Sequence, residues 1–140
     1  MSLPATYLQL FSTLTKEGEL RLELKELEIP TPDATQVVIR VEATPINPSD
    51  LGVMFGWADM SQAQTTGSGN DTVLTAPVSP AGMKVMAARV GQSLPIGNEG
   101  AGTVVATGSD DYAKSLEGKV VAAMGGGMYG QYRCVDAAAC

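Results

Sequence analysis

Gln36-Val37-Val38-Ile39-Arg40-Val41-Glu42-Ala43, running straight into Thr44-Pro45-Ile46-Asn47-Pro48-Ser49-Asp50, decides how the rest of the chain is read. In the first part Val37, Ile39 and Val41 point one way and Arg40 and Glu42 the other, the period-two pattern of a half-buried strand. The second part stops that strand. Asn47 precedes a proline, which biases it to extended backbone. Leu51, Met54 and Phe55 then recur at helical spacing, with Ser49 or Asp50 as N-cap and Gly56 as terminator, which predicts one or two helical turns.

Toward the N-terminus, residues 8–14 and 20–27 are alternating or branched-rich runs around Lys16-Glu17-Gly18-Glu19, a hairpin pattern. Pro30-Thr31-Pro32-Asp33 reads as a turn. Toward the C-terminus, residues 58–93 differ in character. Residues 61–72 are polar, glycine-containing and nearly uncharged, a mobile loop by composition. Pro77 and Pro80 bracket a turn, and residues 80–90 read as a short helix with proline at its first position. Its apolar face is Met83, Met86, Ala87 and Val90. Strands are expected at residues 99–107 and 119–124, flanking a short polar helix or turn at 109–116, with a final strand at 129–135. These elements add up to a mainly β fold, a glycine-cornered and mostly antiparallel barrel with a few short helices and no internal repeat.

The 140 residues suit one domain, with 44% hydrophobic and 17% charged residues, a globular composition. A net charge of −6 and scattered basic residues exclude a nucleic-acid partner, because nothing is placed to displace phosphate counterions. The N-terminus lacks the basic and apolar regions of a signal peptide. No stretch approaches the roughly 20 apolar residues that span a bilayer. Cys134 and Cys140 are no disulfide framework and read as two reduced thiols, so a cytoplasmic protein without a membrane partner is expected.

Gly125-Gly126-Gly127-Met128-Tyr129-Gly130 satisfies G-x-G-x-x-G after a strand, yet Gln131-Tyr132-Arg133-Cys134-Val135 continues as strand and no helix opens to face a pyrophosphate. The stretch reads as a glycine corner. A catalytic zinc takes about three protein ligands, usually histidine and cysteine. The chain has no histidine and two cysteines, so no zinc is expected.

Residues 37–56 (VVIRVEATPINPSDLGVMFG), 95–108 (PIGNEGAGTVVATG) and 116–132 (LEGKVVAAMGGGMYGQY) resemble, in order, three signatures of the medium-chain dehydrogenase/reductase superfamily. With the N-terminal hairpin they cover nearly the whole chain except residues 58–93. Asn47 and Asn98 stand where the zinc alcohol dehydrogenases of that superfamily have a zinc-binding cysteine and histidine. Asn-Pro-Ser-Asp is the form seen in its zinc-free quinone oxidoreductases. The resemblance implies a GroES-like, partly open antiparallel β-barrel, residues 1–140, with an insertion at about 58–93. It further implies that the Rossmann half lies outside this chain, which is then a fragment, inactive alone, of a homodimeric enzyme that uses NADPH to reduce a quinone or enone. Gly97-Asn98-Glu99-Gly100 also resembles the enoyl-thioester reductases of the superfamily, whose catalytic tyrosine has no counterpart in Gly56-Trp57-Ala58. A non-enzymatic GroES-like binding module is the alternative from another class.

The resemblance places Asn47 where its amide donates to a carbonyl or positions the nicotinamide ribose; a turn asparagine before proline is the competing reading. Ser49 and Asp50 are candidates either for the catalytic site or for capping the helix. Tyr129 is placed near the cofactor, or else packs in its corner. Phe55, Trp57 and Asn98 are candidates for the substrate pocket, with Phe55 equally suited to the core. Glu99 suits a structural or a catalytic role. Residues 58–93 leave from and return to the rim of the cleft in the family, which predicts a lid whose helix packs on the barrel while residues 61–72 stay mobile.

Overall fold

The computed structural model describes residues 2–140, a mainly β chain of antiparallel sheets and short helices, in keeping with a GroES-like domain. The strands are β1 (Thr6–Leu14), β2 (Glu19–Glu28), β3 (Gln36–Ala43), β4 (Gln64–Thr66), β5 (Val73–Pro77), β6 (Ser93–Pro95), β7 (Glu99–Thr107), β8 (Val120–Met124) and β9 (Tyr132–Asp136). The helices are α1 (Pro48–Met54), α2 (Pro80–Val85) and α3 (Asp111–Ser115). Contacts divide the chain into two units. The first holds the residues up to Gln9 with Glu26–Pro45 and Gly97–Cys140; the second holds Leu10–Lys25 and Ile46–Ile96.

The first unit is built on a four-stranded sheet in the order β8-β7-β3-β9. The expected inward residues Val37 and Ile39 are buried, and so is Val38, which simple alternation would expose. A register shift between Val38 and Ile39 and the flanking strands β7 and β9 account for this: Val38 lies between Ala106 and Cys134. Backbones approach closely there, since a Cβ on Gly102 would meet the carbonyl of Arg40. Asp110 caps α3 by accepting from the amides of Tyr112 and Ala113. That helix turns Ala113 and Leu116 into the core with Val37, Ile39, Val104 and Met128.

In the second unit, Leu14, Leu20, Leu22, Val78 and Met86 form the core, with Met54, Phe55, Met83 and Val90 packed against it. Fully burying each large apolar side chain contributes about 1.5–3 kcal/mol, an upper figure because unfolded chains are already partly compact. Strands β4 and β5, with the β1–β2 hairpin and β6, belong to a sheet ordered β4-β5-β2-β1-β6.

Several element readings are corrected. Residues 61–72 carry β4 and parts of two 3-10 turns, Met60–Gln62 and Gly69–Asp71, where a loop was expected. Asp59 starts the first of these by accepting from Ser61 and Gln62. Pro77 ends strand β5, a position where proline costs no ladder bond. The expected 80–90 helix is α2, capped by Ser79 through the Gly82 amide. It breaks at Met86 (φ −93°, ψ 18°) into a 3-10 turn, Ala87–Arg89. Its Met83 and Met86 belong to the core of the unit, while Ala87 is exposed. The final strand begins at Tyr132, three residues late, because the glycine corner runs on through Gly130. The turn expected at 30–33 falls at Asp33–Gln36, closed by the Gln36 amide on the Asp33 carbonyl at 3.0 Å.

Candidate functional site

Asn47, rather than Ser49 or Asp50, is the N-cap of α1, and the reason lies in Pro48. Proline fits the first helical position, where no donor is needed, and forces the residue before it to extend. Asn47 sits accordingly at φ −91° and ψ 155°. Asp50 is then the third helical residue, the position from which a carboxylate can reach back to the cap. Its Oδ2 accepts the Asn47 amide at 2.9 Å. Its carboxylate is buried, 1% exposed, whereas Ser49 is exposed and Asn47 half-buried. Gly56 closes the helix at φ 52°, the left-handed conformation expected of a terminator. Phe55 packs against the core of the second unit, the structural role it was weighed against. Trp57 is 59% exposed.

The other candidates lie in the first unit. Asn98 is exposed, and its carbonyl accepts the amides of Gly125 and Gly126 at 3.0 and 3.4 Å. Tyr129 is held at both ends: its hydroxyl donates to the Pro45 carbonyl at 2.9 Å, and its own carbonyl accepts the Gln9 amide at 3.0 Å. Gln9, only 2% exposed, was not anticipated as a site-shaping residue, although a lone amide at an inward position of the run Tyr7-Leu8-Gln9-Leu10 was the available signal. A shallow concavity of about 360 Å³ opens beside the Pro45 carbonyl that Tyr129 holds. Ala43, Pro45, Gly100, Ala101 and Ala122 make its lining largely apolar, with Thr44 and Glu99 as the polar members. A larger concavity of about 840 Å³ lies in the second unit between the β1–β2 turn and residues 61–64. It is polar and widely open, and none of the predicted site residues lines it.

The predicted residues thus fall into two groups, Asn47, Ser49, Asp50, Phe55 and Trp57 in one unit and Asn98 and Tyr129 in the other. Gly125, Gly126 and Gly127 take φ of 139°, 71° and 74° and lead into β9 without an intervening helix. The residues present therefore do not fit the pyrophosphate of a dinucleotide, which needs a helix N-terminus at that loop. Among the described residues no three His, Cys, Asp or Glu side chains gather into a metal site. Burial is the main cause that raises the thiol pKa of both Cys134 and Cys140, so neither is an activated nucleophile. No helix among the described residues is long and apolar enough to cross a membrane.

No family model matches the chain, and no curated protein matches it. Among solved structures it is similar to the crystal structure of a Mesorhizobium loti protein assigned by name to the NADPH:quinone reductases. The TM-score is 0.62 and the identity 28%, and the match covers 100% of this chain and 37% of that one. The chain therefore spans little more than a third of the length of the protein it resembles.

Proposed function

We propose that this chain is the substrate-side domain of an oxidoreductase that transfers hydride from NADPH to a quinone or another conjugated carbonyl without zinc, its nucleotide-binding domain lying outside these 140 residues. The observation that carries the reading is the structural likeness over the whole chain to a protein named for NADPH:quinone reduction. The three sequence signatures around Asn47, Asn98 and Tyr129 support it independently.

The chemistry fits the residues. Reduction of a simple ketone leaves a localised alkoxide that calls for a Lewis acid. A quinone or enone instead spreads the arriving charge over a phenolate or enolate, which hydrogen-bond donors can stabilise. The nicotinamide brings the hydride; this chain supplies orientation and donors. In this reading Asn47 provides an amide donor at the start of α1, fixed there by Pro48 and by its own bond to Asp50. The test is quinone-dependent oxidation of NADPH by the full enzyme, in parallel with simple ketones and enoyl thioesters. Turnover of quinones or enones in metal-depleted enzyme is expected. Exclusive activity on simple ketones, or a stoichiometric zinc requirement, overturns the reading.

A further inference from the structure

Arg89 lies in the second unit, in the stretch 58–93 that resembles nothing in the three signatures. Its guanidinium is half-buried and no carboxylate meets it, and burial alone draws its pKa down. What it meets are backbone and hydroxyl oxygens. One terminal nitrogen, Nη1, donates to the Val53 carbonyl at 2.8 Å. The other, Nη2, donates to Oγ of Ser12 at 3.0 Å and to its carbonyl at 3.3 Å. Ser12 is fully buried, and its hydroxyl donates in turn to the Met54 carbonyl at 3.3 Å.

Val53 and Met54 are the last two residues of α1. Carbonyls there have no partner inside the helix, and a cation near them also opposes the negative end of the helix dipole. The helix has no basic residue of its own in that turn. At seven residues it is far below the length at which a helix is stable alone, so its direction is set by what grips its ends. Asp50 closes the cap at one end from within, while Arg89 with Ser12 holds the other end to its neighbours. A lysine cannot replace this grip, because a single ammonium lacks the planar fork that spans two acceptors on different elements.

We infer that Arg89 is a positioning residue: by holding the C-terminal carbonyls of α1 it fixes the helix whose first turn carries Asn47 and Asp50. Its kinetic consequence rests on the proposed function; its structural consequence does not. In the Arg89→Met chain, hydrogen exchange at the Leu51 and Phe55 amides, which donate to Asn47 and Leu51, should quicken about tenfold or more for loss of a charged hydrogen bond. Amides in the β2–β5 ladder, where Leu20 faces Ala76, should keep their rates. Uniform quickening across the unit, or none at α1, overturns the inference.

In the full enzyme Arg89→Met should lower kcat for quinone with little change in the KM for NADPH. Millimolar guanidinium should restore part of the lost turnover to Arg89→Ala, a rescue that a general loss of stability would not permit. If Asn47→Ala leaves turnover intact, the proposed function fails while the exchange result still decides the role of Arg89. If Asn47→Ala lowers turnover and Arg89→Met does not, Arg89 has no positioning role.

Discussion

Asn47 caps α1 and is the proposed donor, two roles that substitution can separate. As N-cap it stabilises α1, and replacing such a cap by alanine costs about 1 kcal/mol. As proposed donor it stabilises the charge that arrives on the substrate, and loss of such a donor costs about 3–4 kcal/mol, or two to three decades in rate. Serine is as good a cap as asparagine but lacks the amide. Asn47→Ser in the full enzyme should therefore keep the thermal midpoint and lose most of the turnover, while Asn47→Ala loses as much turnover and some stability as well. Equal turnover in both variants and the native protein returns Asn47 to a turn residue. Asp59 offers a second separation. Hydrogen bonds from the Ser61 side chain, then from Gln62, hold its carboxyl below the usual range. A lowered pKa contributes stability above the unfolded value, near 4, and that contribution is lost as pH falls through the lower folded value. Acid titration of Asp59→Asn, followed by circular dichroism, should show a shallower loss of stability below about pH 4. An unchanged acid limb would mean that the cap of the Met60–Gln62 turn contributes nothing measurable.

At the level of elements, legibility followed burial pattern. The bounds of β3 and β7 match the expected 36–43 and 99–107. The β1–β2 hairpin is legible because two apolar runs flank a charged glycine turn, although its strands reach one or two residues further than the expected 8–14 and 20–27. β4 left no trace, since Gln64, Thr65 and Thr66 are all exposed and the strand exists only through its pairing with β5. β5 was hidden by Pro77, which signals a turn but equally ends a strand. The helix in 80–90 is legible from its proline start, and its apolar face predicts a lid helix packed on the barrel. Met83 and Met86 do pack, within their own unit beside Leu14 and Leu20. A core element is protected without ligand. The amides of Met83 and Met86, bonded to Ser79 and Gly82 at 2.9 Å, should thus exchange slowly in the free chain. Met86→Ala should cost about 2–5 kcal/mol by chemical denaturation, the range for large buried side chains cut to alanine. Rapid exchange of both amides with a cost near zero would make the segment a loose insertion.

Across the whole molecule, the residues that sequence could reveal are those whose partners are near in sequence. Asn47, Pro48 and Asp50 make one local turn, so the sequence shows a helix start there, although it points to Ser49 or Asp50 as the cap where the structure has Asn47. The candidate site comes from the resemblance, not from the spacing. Gln9 bonds Tyr129 across 120 positions and Arg89 bonds Ser12 across 77, and no local pattern announces either. The same distinction governs the cofactor. Gly125-Gly126-Gly127-Met128-Tyr129-Gly130 matches a dinucleotide motif letter by letter, but affinity for the pyrophosphate comes from the strand before and the helix after the loop. Here the corner hands over to β9, and its first two amides are already spent on the Asn98 carbonyl. The polypeptide of residues 1–140 should therefore give no binding heat when titrated with NADPH at micromolar concentrations, and no quinone-dependent oxidation of it. A micromolar Kd means about 8 kcal/mol of binding. That much would have to come from preorganised donors around the phosphates, which the glycine corner does not supply. Calorimetry that finds such a constant would show that Gly125–Gly127 binds phosphate by some other geometry, and would move the cofactor site into this chain.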